Sequence, residues 1–177
     1  MKDHFKEEVV IRRNATVFNL FYIVAWIIIV IIGVYAVFML QMLMLRPSVL
    51  ALLMFLGFAG AAVLLYFAKD ELKVEYEYAF TNGTLDFAKV LRASRRKELG
   101  SMNVANVNAC GHVAHQSFQR FISMQGIEKK NWFLNRDGNL FYFYYEKEAR
   151  KHIIVIEPSE EMVEMIRLYL PAGVYQG

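Results

Sequence analysis

The sequence predicts an α+β membrane protein: a transmembrane hairpin of two helices followed by a seven-stranded β-sandwich or barrel with a C-terminal helix. Three observations carry this. Residues 16–45 and 48–68 hold no charged side chain. From residue 72 the unbroken apolar run gives way to alternation, Leu72, Val74, Tyr76, Tyr78 and Phe80 against Lys73, Glu75, Glu77 and Ala79. Behind Pro158-Ser159, one apolar stripe recurs at helical period until Pro171.

The two apolar stretches come first. A spanning helix needs roughly 20 apolar residues, and both stretches reach that length. Residues 23–40 read IVAWIIIVIIGVYAVFML, with no polar face of the kind a helix in a soluble core presents. The run is too long for a cleaved leader and no small-x-small site follows it. Between the stretches the only charge is Arg46, beside Pro47. Lys2, Lys6, Arg12 and Arg13 precede the hairpin, and Lys69 and Lys73 follow it. Cations are retained on the cytoplasmic side, so both termini are expected there, with the protein a multi-pass component of the cell membrane. The sequons at Asn14 and Asn82 are then coincidental. Gly57, Gly60 and Ala61 form a small-residue face, expected to pack inside the hairpin rather than between copies. Neither span contains an ionisable residue, which argues against a transporter or channel working alone.

The domain boundaries expected from this pattern are 1–15 for a short N-terminal cytoplasmic segment, 16–68 for the hairpin (16–45 and 48–68), and 69–177 for the soluble domain. In the first segment Phe5, Val9 and Val10 suggest the apolar edge of a short interfacial helix.

In the soluble domain the first strand, through Phe80, meets Asn82-Gly83, a pair suited to the positive φ angles of a tight hairpin. A second strand is expected over 84–90, a basic loop and third strand through Arg95 and Leu99, and a fourth over 104–110. Residues 111–126 lack a period and are read as a long loop. Strands over 129–134, 140–145 and 151–157 follow, the first two separated by Asp137-Gly138. Ser159 then caps a helix with Glu160, Glu161 and Glu164 near its positive end.

Seven strands and a helix is the order of the pleckstrin-homology (PH) fold. The chain also resembles an uncharacterised group of small Firmicute membrane proteins, a domain of unknown function. The resemblance is carried by Val74-Glu75-Tyr76-Glu77-Tyr78, Phe80-Thr81-Asn82-Gly83, Leu85-Asp86, Arg95-Arg96-Lys97, Glu157-Pro158 and Tyr169-Leu170-Pro171. It implies a bacterial PH-like domain at the membrane and supplies no activity.

Candidate sites are few. Arg92, Arg95, Arg96 and Lys97 form a basic cluster that would attract an anionic lipid surface, or simply be a solvated loop. Trp132, Tyr142 and Tyr144 belong to a dense aromatic region; outward-facing rings there would mark a partner interface, or pack beneath the 111–126 segment or against the membrane. Cys110, His112 and His115 have ligand types for zinc but no fourth ligand at a familiar spacing. Cys110 is the only cysteine, which excludes an internal disulfide. No P-loop, dinucleotide fingerprint, H-E-x-x-H or G-x-S-x-G motif is present, so neither catalysis nor a cofactor is expected. The formal net charge of +3 is too modest for nucleic-acid binding as a main task. The expected partners are membrane lipids and a protein or second copy of the chain. An accessory place in a larger membrane complex is the further alternative.

Overall fold

The computed structural model describes residues 4–92 and 94–176. In chain order its elements are β1 (Phe5–Val10), α1 (Ala15–Leu45), α2 (Val49–Ala68), β2 (Val74–Thr81), β3 (Thr84–Leu91), β4 (Arg95–Asn103), β5 (Ala109–His112), α3 (Gln116–Ile122), β6 (Ile127–Trp132), β7 (Phe141–Lys147), β8 (Arg150–Ile156) and α4 (Glu160–Arg167). They fall into two compact units. Residues 14–74 make a helical unit, and the chain on both sides of it makes a β unit.

In the helical unit α1 and α2 pack on each other, with Tyr35 stacked on Phe58 at 5.8 Å between centroids. The Ser48 hydroxyl caps α2 by accepting the Ala51 N–H at 3.1 Å. Both helices are long and apolar enough to cross a bilayer. Of all their residues only Ala36 is buried, so they are not the core helices of a soluble fold. Gly57 and Gly60 are exposed, and a Cβ at either would meet nothing within 4 Å. Contrary to expectation, the small-residue face is not where the two helices approach.

A 3-10 turn, Lys69–Lys73, closes this unit. Lys69, counted among the flanking cations, does not face outward. Its Nζ lies 3.8 Å from the centre of the Tyr66 ring and 4.8 Å from that of Trp26. It donates to the Tyr66 carbonyl at 2.9 Å and to the Asp70 carboxylate at 3.0 Å. Two aromatic faces, a carbonyl and a carboxylate replace the water that this ammonium loses. Lys2, another of the flanking cations, lies outside the described residues.

The β unit holds eight strands among the described residues, in two four-stranded sheets ordered β1-β2-β3-β4 and β5-β7-β8-β6. The expected seven omitted β1. The segment read as interfacial is instead an antiparallel partner of β2, from Phe5↔Thr81 to Val10↔Tyr76. The soluble domain therefore begins before the hairpin and resumes after it. The sequence misled because β1 turns its apolar Phe5 and Val9 outward and its charged Lys6 and Glu8 partly inward. Glu8 accepts both the backbone N–H of Ser159, at 2.9 Å, and its hydroxyl, while Lys6 pairs with Glu161. Two charges on the inner side are thus satisfied by the N-terminus of α4.

The region read as a long loop contains the second half of β5 and all of α3. Strand β6 lies parallel to β8, from Ile127↔Lys151 to Trp132↔Ile156, so β6 is an edge strand and β7 pairs with β5 and β8. The expected 104–110 strand divides into a 3-10 turn, Val104–Asn106, and β5.

The principal core lies between the sheets and under α4. Tyr78, Phe80, Leu85, Phe87, Phe141, Phe143, Ile154 and Ile156 pack there with Met162, Val163 and Ile166. A second apolar layer forms where Phe118 and Phe121 of α3 cover Tyr142, Tyr144, Ile153 and Val155. At the β2–β3 turn Asn82 and Gly83 have φ of 46° and 91°, as the two-residue turn requires. The chain end lies along β5: the Cys110 N–H donates to the Val174 carbonyl at 3.0 Å, and the Gln176 N–H to the Cys110 carbonyl at 2.7 Å. Gly111 permits this approach, since a Cβ there would run into the Gln176 carbonyl.

Candidate functional site

The inner faces of β7 and β8 change character as they leave the core. Along β7 the inward residues are Phe141, Phe143, Tyr145 and Lys147; along β8, from core to tip, they are Ile156, Ile154, His152 and Arg150. Alternation keeps each set on one face. The aromatic and branched residues seal the space between the sheets, and the basic residues that follow cannot. The sheets part there, leaving a cleft of about 660 Å³, within the usual range for ligand clefts of roughly 300–1,000 Å³.

Phe87, Leu99, Trp132, Tyr145 and Ile154 give the cleft an apolar base, and Lys130, Lys147 and Arg150 a cationic rim. Trp132 meets Phe87 at 4.8 Å between ring centroids, and Tyr145 stacks on His152 at 5.1 Å and 16°. Burial pushes the Tyr145 hydroxyl up from its ordinary value, so it stays a neutral donor. The Nδ1 atom of His152 is buried and makes no hydrogen bond, although the Glu128 carboxylate stands 3.2 Å away. Of the acidic residues on the rim, Glu146 already accepts the Tyr144 hydroxyl at 2.6 Å. Glu148 and Ala149 form the β7–β8 turn with φ of 52° and 60°, a left-handed conformation that costs a non-glycine residue about 1–2 kcal/mol.

The opposite wall is β4. Five consecutive residues, Leu99 to Asn103, line the cleft. Strand β4 has a neighbour, β3, on one side only. The register between them shifts at Phe87/Ala88, so Leu99 bulges ahead of Gly100.

The sequence-predicted residues are dispersed. Arg92, Arg95, Arg96 and Lys97 are all exposed around the β3–β4 turn, and Arg96 is held by Glu77 at 2.8 Å. Tyr142 and Tyr144 are not surface rings. Tyr142 is fully buried and Tyr144 nearly so, because α3 forms within the supposed loop and covers them. Burial holds both phenols above their ordinary range, Tyr144 at about 12. Trp132 lies on the other side of the same sheet, at the base of the cleft. Cys110 is wholly buried and its thiol is pushed up to about 12. His112 bonds to Asn139 at 2.9 Å, and His115 caps α3 through Ser117. Among the described residues no cluster of three or more His, Cys, Asp or Glu side chains is placed to hold a metal. Lys130, Lys147, Arg150 and His152 were missed. Their signal was the passage from aromatic to basic on one strand face, which has meaning only once the facing sheet is known.

The family model described as Bacterial PH-like domain (DUF6106) matches residues 2–176. The chain belongs to this family. No curated protein and no solved structure matches it. Two apolar helices together with a two-sheet domain and a C-terminal helix fit a bacterial PH-like domain, a family of unknown function. In this bacterial PH-like domain the helices are inserted between the first two strands rather than placed ahead of the fold.

Proposed function

We propose that the protein is a membrane-anchored, non-catalytic interaction module whose PH-like domain works at the inner face of the cell membrane and binds another protein. One observation carries this reading: the apolar helices lie in sequence between β1 and β2, which pair directly through Val10↔Tyr76. Both ends of the hairpin therefore enter one sheet and must share one side of a bilayer. Two crossings satisfy that condition, and the excess of cations at the open ends favours the cytoplasmic side. A domain tied to the membrane by two strands suits recognition there better than diffusion between compartments. The cleft beside β4 is the recognition surface.

The second reading is attraction to anionic lipid through Arg92, Arg95, Arg96 and Lys97, whose common exposure around the β3–β4 turn favours it. Each cation near such a surface contributes about 1 kcal/mol, and that attraction fades with salt.

The test combines topology with cross-linking in intact cells. In a Cys110→Ala background, a cysteine replacing Leu45 should react with an impermeant maleimide from outside, and one replacing Lys147 should not. A photo-reactive residue at position 147 should give a discrete cross-linked protein, and one at Glu75 should not. External labelling at position 147, or no cross-link there, would overturn the proposal.

A further inference from the structure

We infer that the protein senses the setting of its own hairpin: a clamp built on the side chain of Asn135 passes the tilt of α1 to Trp132 at the base of the cleft. This rests on the reading of the helices as a membrane hairpin, and it gives the cleft an input as well as a partner. Only four residues, Ile11 to Asn14, separate β1 from α1. Asn135, in the β6–β7 loop, grips two of them by their main chain. Its Oδ1 accepts the Arg13 N–H at 2.9 Å, and its Nδ2 donates to the Ile11 carbonyl at 3.0 Å. Holding the backbone on both sides of Arg12 takes the donor and the acceptor of one amide. The Arg13 guanidinium adds an ion pair with Asp137 at 3.1 Å.

From Asn135 the contacts lead inward. The same Nδ2 donates to Oε1 of Glu157 at 2.9 Å, and the Asn135 N–H donates to Oε2 at 3.0 Å. Gly138 leaves room for that carboxylate, since a Cβ there would collide with it. The Glu157 N–H donates to the Tyr78 hydroxyl at 3.3 Å, and that hydroxyl donates to the Trp132 carbonyl. Tyr78 is fully buried, and the Trp132 ring lies against Phe87 at the base of the cleft. The series therefore begins at an exposed end beside α1 and finishes in the packed interior. Hydrogen-bonded chains between packed groups are the kind of contact that carries coupling from one place to another.

The length of α1 supplies the lever. Its 31 residues span about 46 Å, against about 30 Å for the hydrocarbon core of a bilayer. The 20 residues of α2 match that core. A helix of excess length tilts, and its tilt follows the thickness of the bilayer. The short link at residues 11–14 hands that change to the clamp.

The chain contains two tryptophans, Trp26 in α1 and Trp132 in the cleft. In a Trp26→Phe background, fluorescence reports on Trp132 alone. The full chain is reconstituted in phosphatidylcholine vesicles with short, medium and long acyl chains. Trp132 emission and its quenching by acrylamide should change progressively with thickness. Asn135→Ala should abolish that response, and so should Tyr78→Phe, which removes only the hydroxyl between Glu157 and Trp132. Asn131→Ala, exposed on β6, should leave it intact.

A Trp132 signal indifferent to thickness would overturn the proposal. So would a full response in Asn135→Ala or Tyr78→Phe, or its loss in Asn131→Ala. A response to phosphatidylglycerol at constant chain length, with none to thickness, would also overturn it. Tyr78→Phe keeps the ring in the core, so the test holds even where Asn135→Ala fails to fold, and far-ultraviolet circular dichroism checks both variants. A flat thickness response with a cross-link still formed at position 147 would remove the coupling and leave the interaction module. A thickness response without that cross-link would do the reverse.

Discussion

Val10 lies opposite Tyr76 in the register of β1 and β2, although both apolar helices of the chain lie between them in sequence. The sheet thus pairs two strands that the apolar helices separate in sequence. Strand β1 is held by more than the ladder, since the Glu8 carboxylate accepts two hydrogen bonds from Ser159 at the start of α4.

Removing that carboxylate tests the closure. Glu8→Ala should lower stability by about 1.5–3 kcal/mol, the range for hydrogen bonds to a charged group. Glu7→Ala, on the exposed side of β1, should stay within about 0.5 kcal/mol. Urea unfolding in detergent, followed by circular dichroism, measures both. Equal effects would mean that β1 is not fastened to α4.

Lys69 offers a second test, within the helical unit. Its side chain is fully buried against Trp26 and Tyr66 and paired with Asp70. Lys69→Ala breaks this buried ion pair, at a cost of about 3–5 kcal/mol. Trp26 emission should shift to the red, and protease should cleave the 69–73 turn sooner. An unchanged Trp26 spectrum would show the lysine to be solvated.

The cover over Tyr142 and Tyr144 makes a third. Phe121 stacks on Tyr144 at 4.7 Å and 25°. Helix α3 has only seven residues, too few to persist without its packing. Phe121→Ala should cost about 3–5 kcal/mol and make Tyr144 accessible to nitration. A loss below about 1 kcal/mol would mean that α3 does not hold this face closed.

Alkali probes Cys110. Its thiol is raised from 9.0 to about 12 by burial, so the folded state retains a proton that the unfolded chain gives up first. The associated stability is complete below pH 9 and disappears as pH rises toward about 12. The free energy of unfolding should fall through that window, and Cys110→Ala should flatten the first part of the fall, before the tyrosines contribute. Gly111→Ala, whose Cβ collides with the Gln176 carbonyl, should release the chain end and make Cys110 react with maleimide at neutral pH. No gain in reactivity would mean that the end segment does not shield the thiol.

Some of this was legible beforehand, because some signals are local. Asn82-Gly83 fixes a turn through its own φ preferences, Ser159 caps α4 through a neighbouring N–H, and alternation from Val74 to Thr81 needs only one buried face. Strand β1 was not legible, because its inward Lys6 and Glu8 are satisfied by residues at the far end of the chain. Helix α3 was hidden because seven residues show barely two turns of period, and their apolar side is defined by Tyr142 and Tyr144.

By itself the sequence determined the two charge-free helices, the change to a strand-rich domain and the closing amphipathic helix, since each depends on residue type and spacing along one segment. Only the tertiary structure decided that the helices interrupt a sheet between paired strands, that Tyr142 and Tyr144 are core while Trp132 borders a cleft, and that Lys147 and Arg150 share its rim. Strand partnership and burial are relations between distant segments. They are chosen by which faces and charges satisfy one another in space, and no local pattern records that choice.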